Sequence, residues 1–293
     1  MANGNDSVFT ENGQEIRSRG TAQFPCAVYR WNPKMTYIRW HWHEEYEFSV
    51  IKKGPMTVCA GQQSFVLETG DGLFINSGTI HHIPFQEVDD CDKMDIVFHG
   101  KVVYGSYDSA LWQKYMRPMT ACAGLETVAL HRNIPWERQV LDLLERAGAS
   151  CESCEDGYEF DVKEDLLQVF KLLYKNGLPV RSGEAADSSR DTDRVKEMLN
   201  FIHSHYREGI HLADIAASAS ICERECLRCF KELIRLSPIQ YLIHYRIENA
   251  CRMIKELHCN ITEICEACGF ESPSYFSKTF KRIVGCTPRE YRS

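Results

Sequence analysis

Residues 261–292 read ITEICEACGFESPSYFSKTFKRIVGCTPREYR, and this stretch decides how the C-terminal part of the chain folds. Ile261, Ile264, Cys265 and Cys268 recur at helical spacing, and Gly269 suits the left-handed position that ends a helix and turns the chain. Ser272 followed by Pro273 is an N-cap with proline in the first turn, so a second helix starts there. Phe276 and Phe280, four apart, face inward. Ser274, Ser277, Lys278 and Lys281 are left outside, as short polar or cationic groups able to hydrogen-bond base edges and phosphates. The pattern predicts a helix-turn-helix.

The same pattern occurs once before. LADIAASASICERECLRCFKELIRLSPIQYL begins at Leu212 and repeats the later stretch, with Phe230-Lys231 matching Phe280-Lys281, Pro238 matching Pro288 and Tyr241 matching Tyr291, all at a spacing of 50. Leu212 and Ile215 match Ile261 and Ile264 at a spacing of 49, so one residue differs at the turn. A long amphipathic segment from Pro238 to Leu257 joins the copies and fixes their separation. Residues 192–293 carry 15 Lys and Arg against 13 Asp and Glu, a net charge of +2, which leaves −9 for the remainder of a chain whose total is −7. A modestly cationic C-terminal unit is compatible with a nucleic-acid partner.

In 293 residues with 44% hydrophobic content, two or three folded units are expected. No run reaches the length of a membrane helix, and the polar start lacks the apolar segment of a signal peptide, so a cytoplasmic protein with reduced thiols at its fourteen cysteines is expected. Residues 1–20 read as a flexible arm. Residues 21–108 contain short alternating or apolar runs, TYIRWHW, EFSVI, MTVCA, SFVL, GLFI and DIVF, separated by Gly, Pro and Asp, which predicts a small antiparallel barrel or jelly roll.

Inside that region His41 and His43 share a strand face, and Glu47 keeps the same parity. With His81 from another strand they make a set able to bind a divalent transition metal through imidazole and carboxylate, or to line a metal-free pocket by hydrogen bonding. The spacing of His41, His43, Glu47 and Gly54 resembles the first cupin motif. Gly70, Gly78 and His81 match the second, in which Asn76 replaces the usual Pro and Phe85 the frequent Asn. Trp31 and Tyr37 share the parity of His41 and are candidate ligand-binding aromatics, whereas Trp40, Trp42, Tyr46 and Phe48 have the opposite parity and face away.

Residues 109–180 read as helical. Trp136, Val140, Leu143 and Leu144 form one apolar stripe and Val162, Leu166, Val169, Phe170 and Leu173 another, to be packed on the barrel or, as favoured here, used by one stripe in a dimer contact. Cys151 and Cys154 form a CxxC without a partner pair at zinc-ribbon spacing, and read as two unpaired loop thiols. Residues 181–192, RSGEAADSSRDT, are small, polar and aperiodic and read as a linker, with the double helix-turn-helix occupying 193–293. Cys222, Cys226 and Cys229, and again Cys265 and Cys268, read as small core hydrophobes. The fold class expected is α+β, with an antiparallel barrel and two packing helices in front of an all-α unit.

Two helix-turn-helix units joined by one helix, each with FK and then P-x-x-Y, resemble the DNA-binding domain of AraC-type transcription regulators, and the front region is similar to that family's sensor and dimerisation domain. The first copy departs from the pattern at Cys222 for a capping Ser, Cys226 for Leu and Arg235 for a helix-ending Gly. The resemblance implies two recognition helices in successive major grooves, about 34 Å apart. Carried over, Glu223, Arg224, Leu227 and Arg228 of the first helix and Ser274, Ser277 and Lys278 of the second face the groove, while Lys231, Lys281 and Arg282 contact phosphate. Glu223 either reads cytosine or pairs within its helix with Arg224 or Arg228. The resemblance further implies a small-molecule effector in the barrel, double-stranded DNA and RNA polymerase as partners, a homodimer, an activating role, no membrane and no enzymatic activity. Competing readings are a metal-dependent cupin enzyme carrying a DNA-binding appendage, for which His41, His43, Glu47 and His81 hold the metal, and a thiol redox-sensing regulator.

Overall fold

The computed structural model describes residues 8–9, 15–16, 20–30, 38–61, 63–84, 91–120, 125–176, 185–234, 236–256 and 259–292; at 8–9, 15–16, 39, 185–189 and 255–256 it describes the backbone alone. The chain divides into two compact units, one extending through Gln14–Ser189 and one through Arg190–Ser293. Trp31, Tyr37, Phe85 and Arg235, and residues 181–184 of the expected linker, lie outside the described residues, as does most of the expected arm.

The front unit begins with a short hairpin of β1 (Val8–Phe9) and β2 (Glu15–Ile16), followed by β3 (Cys26–Arg30), β4 (Ile38–His41), β5 (Tyr46–Lys53), β6 (Met56–Ala60) and β7 (Gln63–Leu67). It continues through β8 (Gly72–Ile75), β9 (His81–Ile83), β10 (Asp92–Phe98), α1 (Lys101–Tyr104), a π-helical turn over Trp112–Met116, α2 (Arg117–Thr120) and β11 (Thr127–Leu130). Two long helices, α3 (Pro135–Ser153) and α4 (Tyr158–Lys175), complete it. Five strands form one sheet in the order β11-β8-β5-β10-β3 and four form a second in the order β4-β9-β6-β7. All pairings are antiparallel.

Strand β5 explains the layering. Its even-numbered residues Tyr46, Phe48 and Val50 join a core shared with α3 and α4, whereas Ile51 joins a second core with Met56, Val58, Leu67, Leu73, Ile75 and Ile83. One strand therefore has apolar partners on both faces. Phe48 lies 4.8 Å from Phe74 and 6.3 Å from Phe98, and Phe170 of α4 meets all three rings edge-on at 6.0 to 6.2 Å. Val140, Leu143 and Leu144, with Val162, Leu166, Val169, Phe170 and Leu173, are buried in this core, and Trp136 packs against it. Both helical stripes are thus consumed within the front unit, which corrects the expectation that one of them is presented to a second copy. The cause is the supply of apolar side chains on the helix-facing side of β5, β8 and β10.

The back unit is helical: α5 (Ala185–His205), α6 (Leu212–Ser218), α7 (Glu223–Leu233), α8 (Pro238–Glu256), α9 (Ile261–Ala267), α10 (Pro273–Val284) and α11 (Pro288–Arg292). The stretch read as a linker is helical from Ala185 onward, a correction with a polar rather than apolar cause. Asp191 pairs with Arg194 one turn on at 3.1 Å and with Arg228 of α7 at 2.6 Å, contacts that hydrophobic periodicity does not register. Phe230, Phe276, Phe280, Ile215 and Ile264 are buried together with Cys226, Cys229, Cys265 and Cys268, so these thiols behave as small core groups. No helix among the described residues is long and apolar enough to cross a membrane.

The duplication extends to the hydrogen bonds that start each helix. Asp214 Oδ2 accepts from the His211 amide at 2.7 Å and Glu263 Oε2 from Asn260 at 2.9 Å, an offset of 49. Gln240 Oε1 accepts from Ser237 at 2.9 Å and Glu290 Oε2 from Thr287 at 2.7 Å, an offset of 50. The turns differ. Gly269 has φ +76, and a β-carbon there would come within 2.7 Å of the Tyr206 carbonyl oxygen. Its counterpart Ser220 adopts φ +55 with a side chain attached, a conformation that costs an L-residue roughly 1–2 kcal/mol. Ser272 Oγ caps α10 by accepting from the Tyr275 amide at 3.4 Å, and Cys222 offers α7 no side-chain cap. Ser220→Gly is therefore expected to stabilise the back unit by about 1 kcal/mol and Gly269→Ala to destabilise it by at least as much, both read from the midpoint of urea unfolding.

Candidate nucleic-acid interface and imidazole cup

In the front unit, β4 ends at His41, its short continuation carries His43, and β9 begins at His81, directly opposite His41 in the antiparallel register. The rings of His41 and His81 are 4.0 Å apart, those of His43 and His81 5.1 Å and those of His41 and His43 5.8 Å. One nitrogen from each converges with the others to within 4.8 Å, and all three residues are buried. Glu47, on the β5 face turned away from the helices, closes the cup. Four residues separated by up to forty positions are brought together as the sequence pattern implied. Asn76, standing where Pro was expected, anchors the turn before β9: its Oδ1 accepts from the Ser77 amide at 2.8 Å and its carbonyl oxygen from the Thr79 amide at 3.1 Å.

The tautomers follow from the backbone. His43 Nδ1 lies 3.1 Å from the Glu45 carbonyl oxygen and His81 Nδ1 2.9 Å from that of Thr79, and a carbonyl can only accept. Each Nδ1 therefore carries a proton, which in a neutral ring leaves the lone pair on Nε2. Both Nε2 atoms face Glu47 Oε2, at 3.0 Å from His43 and 3.4 Å from His81, and the His81 atom has no hydrogen-bond partner among the described residues. A carboxylate oxygen opposite two lone pairs is repulsive, and a shared proton or a metal ion between them relieves it. Three imidazoles, two of them with their outer nitrogens fixed by carbonyls, beside an anionic carboxylate, fit a divalent transition metal.

Residues that sequence reasoning missed complete the electrostatics. Lys93 and Asp95, two apart on β10, are buried, and Lys93 Nζ donates to both Asp95 oxygens at 2.7 and 2.6 Å while standing 3.9 Å from Glu47 Oε1. Ser49 Oγ donates to Asp95 Oδ1 at 2.6 Å. Burial alone would push the Glu47 carboxyl up, but the contacts with His43 and His81 and the charge of Lys93 outweigh it and hold the group well below the usual carboxylate range. For Asp95 burial wins against Lys93, and its carboxyl is raised. The sequence signal was the i, i+2 spacing of Lys93 and Asp95 in an apolar strand; which face they take is set only by the β5–β10 register.

In the back unit, α7 and α10 each bury one face and expose the other. Arg224, Glu223, Lys231 and Leu227 are exposed on α7, and Ser274, Lys278, Lys281 and Arg282 on α10, with Ser277 half-buried. Tyr275, absent from the expected set, is 49% exposed in the first turn of α10; the search for short polar and cationic groups passed over it. Arg228 does not share the free position of Arg224. Its guanidinium donates to Glu225 at 2.6 and 3.1 Å, to Glu232 at 2.6 Å and to Asp191 at 2.6 Å. Its partners are thus Glu225, Glu232 and Asp191, not Glu223. Burial tends to raise the Asp191 carboxyl, and hydrogen bonds from Arg228 and Arg194 more than reverse this, leaving it below the ordinary range.

Residues 24–170 match the family model described as an AraC-like ligand binding domain, and residues 215–293 match one described as a helix-turn-helix domain. Over 288 residues, 97% of each chain, the sequence is 30% identical to the uncharacterized HTH-type transcriptional regulator YdeC of Bacillus subtilis. It is 22% identical over 271 residues to the HTH-type transcriptional activator RhaR of Yersinia pestis, covering 92% of this chain and 89% of the relative. Among solved structures, the DNA-binding domain of the global transcriptional factor AdpA in complex with a target DNA aligns at 29% identity with a TM-score of 0.33, covering 34% of this chain and 89% of the other.

The clamp on Arg228 sets a pH dependence. A carboxyl depressed in the folded state contributes stability that is present above its unfolded value, about 3.9 for Asp, and is lost as pH falls through the lower native value. Because Arg228 is 40% exposed, solvent screening limits the contribution. Asp191→Asn is expected to cost about 1 kcal/mol at pH 7 in urea unfolding, with the gap to the wild type closing in acid.

Proposed function

The chain belongs to the AraC-type transcription regulators, and from that premise we propose how its two units carry out the work of a ligand-responsive DNA-binding regulator. The observation that carries the reading is the duplicated scaffold in which α7 and α10 each lie between helices started by matching hydrogen bonds, bury the matching Phe230 and Phe280, and expose their polar faces. On this proposal both helices enter successive major grooves of double-stranded DNA. Arg224 and Leu227, with Glu223, face bases from α7, and Ser274, Ser277 and Lys278 do so from α10. Lys231, Lys281 and Arg282 take phosphates. Arg228 joins the base-reading set only when its carboxylate clamp opens, and otherwise braces α7 against α5. The regulator acts in the cytoplasm as a homodimer and an activator that engages RNA polymerase. Its dimer contact uses outward groups of α3 and α4, since the inward stripes are occupied; Gln139, Asp142, Gln168, Lys171 and Leu172 line a groove there.

The test is a fluorescence titration of promoter DNA across a salt series. Arg224→Ala is expected to lose discrimination at one base pair by about 1–3 kcal/mol, whereas Lys281→Ala weakens all sequences alike and lowers the salt slope by about one. Unchanged affinity in both variants would remove α7 and α10 from the interface.

The effector, on the same proposal, binds in the cup of His41, His43, His81 and Glu47. The four side chains would hold a divalent transition metal, which when bound supplies positive charge against which an anionic effector group is fixed. Zinc, manganese and nickel salts are expected to raise the unfolding temperature of the wild type, and His43→Ala or Glu47→Gln to abolish the shift. If no metal shifts the wild type, the cup is a metal-free pocket. If a loaded cup turns over a small substrate, the cupin-enzyme alternative replaces effector binding.

A further inference from the structure

The two helix-turn-helix copies are tied together by more than the helix that joins them in sequence. Arg246 of α8, half-buried, sends its guanidinium to the loop that leads from α5 into α6, the first helix of the first copy. Its Nε donates to the Tyr206 carbonyl oxygen at 2.6 Å and its Nη2 to that of Glu208 at 2.7 Å. The same guanidinium stands 5.8 Å from the ring centroid of Phe270, in the turn between α9 and α10 of the second copy. Phe270 is buried and passes the contact on to α10, its ring lying 5.1 Å from that of Phe276.

The backbones meet at the same place. Gly269, next to Phe270, runs so close to Tyr206 and Arg207 that a β-carbon would come within 2.7 and 2.9 Å of their carbonyl oxygens. Tyr206 is itself buried and packs edge-on against Tyr245 of α8 at 5.2 Å. Near the other end of α5, Asp191 accepts from Arg228 of α7 at 2.6 Å and Arg194 pairs with Glu225 of α7 at 3.5 Å. Asp191 and Tyr206 are separated by about 22 Å at the helical rise of 1.5 Å per residue. Helix α5 is therefore a strut that holds the first recognition helix near its start and the turn before the second one at its end. With α8 it makes two connections between the copies, and two connections remove the hinge that one joining helix would leave.

We propose that Arg246 is a positioning residue of the DNA interface: it fixes α10 relative to α7, so that the chain selects the spacing between two groove segments as well as their sequences. The inference rests on the reading of α7 and α10 as the helices that enter DNA. Arginine suits the place because separate nitrogens of one planar fork take two carbonyl oxygens while its face covers an aromatic ring. A lysine ammonium is a point charge without that fork or that face. Since Nε and Nη2 are spent on the loop, Arg246 acts through the scaffold and not by touching the duplex.

The experiment uses the full chain, a duplex that it selects from a randomised pool, and the same duplex lengthened by one base pair between the two footprinted groove segments. The added pair moves the segments apart by about 3.4 Å and out of phase by about 35°. The wild type is expected to bind the lengthened duplex on the order of 100-fold more weakly, because one helix loses its bases. Arg246→Met is expected to bind the parent duplex more weakly, to shrink the penalty for the added pair to about tenfold or less, and to keep the wild-type salt slope. Arg246→Lys is expected to fall between the two. A folded Arg246→Met that keeps the wild-type penalty would overturn the proposal. So would an equal loss on both duplexes with a salt slope lowered by about one, which marks a phosphate contact. If Arg246→Met does not fold, Arg246→Lys decides, and a penalty equal to the wild type's overturns the proposal. A wild type that selects no duplex removes the reading of α7 and α10 and this inference with it; a wild type with a spacing penalty that both variants share removes the inference alone.

Discussion

From Tyr46 to Ile51, strand β5 has no face turned to water, and the front unit is built on that constraint. A strand with period two that is covered on both sides must find a partner for every side chain. Tyr46, Phe48 and Val50 find theirs in the helices and the aromatic cluster around Phe170. Glu47 and Ser49 face the other way, into a region where an uncompensated carboxylate would be prohibitively costly. The compensation comes from His43, His81 and Lys93, each on a different element. The aromatic packing that fixes the register of β5 therefore also places the acidic member of the cup.

The back unit rests on repetition rather than on a single central element. Each copy starts its helices with reciprocal backbone and side-chain hydrogen bonds at offsets of 49 and 50. Each also buries a phenylalanine against a tyrosine, Phe230 with Tyr241 at 5.9 Å and Phe280 with Tyr291 at 5.6 Å. Where the copies diverge, the second keeps the cheaper backbone: glycine in the left-handed turn and serine at the cap. The first spends conformational energy at Ser220 and recovers some through the ion pairs around Arg228.

Local pattern carried the helix-turn-helix pair, the alternating strands, the two apolar helices and the convergence of His41, His43 and Glu47, because each is written in spacings of two to seven residues. His81 was legible through motif resemblance. What stayed hidden was pairing across elements. Lys93 and Asp95 reach Glu47 only through the β10 register, and Asp191 reaches Arg228 across 37 positions. The segment after residue 184 misled for a related reason: helices can be held by polar contacts, and apolar periodicity then says nothing. The apolar stripes misled about their partner because an amphipathic stripe shows that a helix is covered without showing by what.

The charge on the two exposed helices differs in kind. Within α7, Arg224, Arg228 and Lys231 are balanced by Glu223, Glu225 and Glu232, whereas α10 carries Lys278, Lys281 and Arg282 with no acid. At a polyanion, the release of condensed counterions follows the cations presented, so on the proposed interface more of it falls to α10, with Lys231 the phosphate contact of α7. The helix with the well-capped, glycine-turned scaffold would hold the duplex with a strength that varies with ionic conditions. Its neutral twin would add contacts less sensitive to them, so that the share of binding owed to each copy shifts as the salt around the duplex changes.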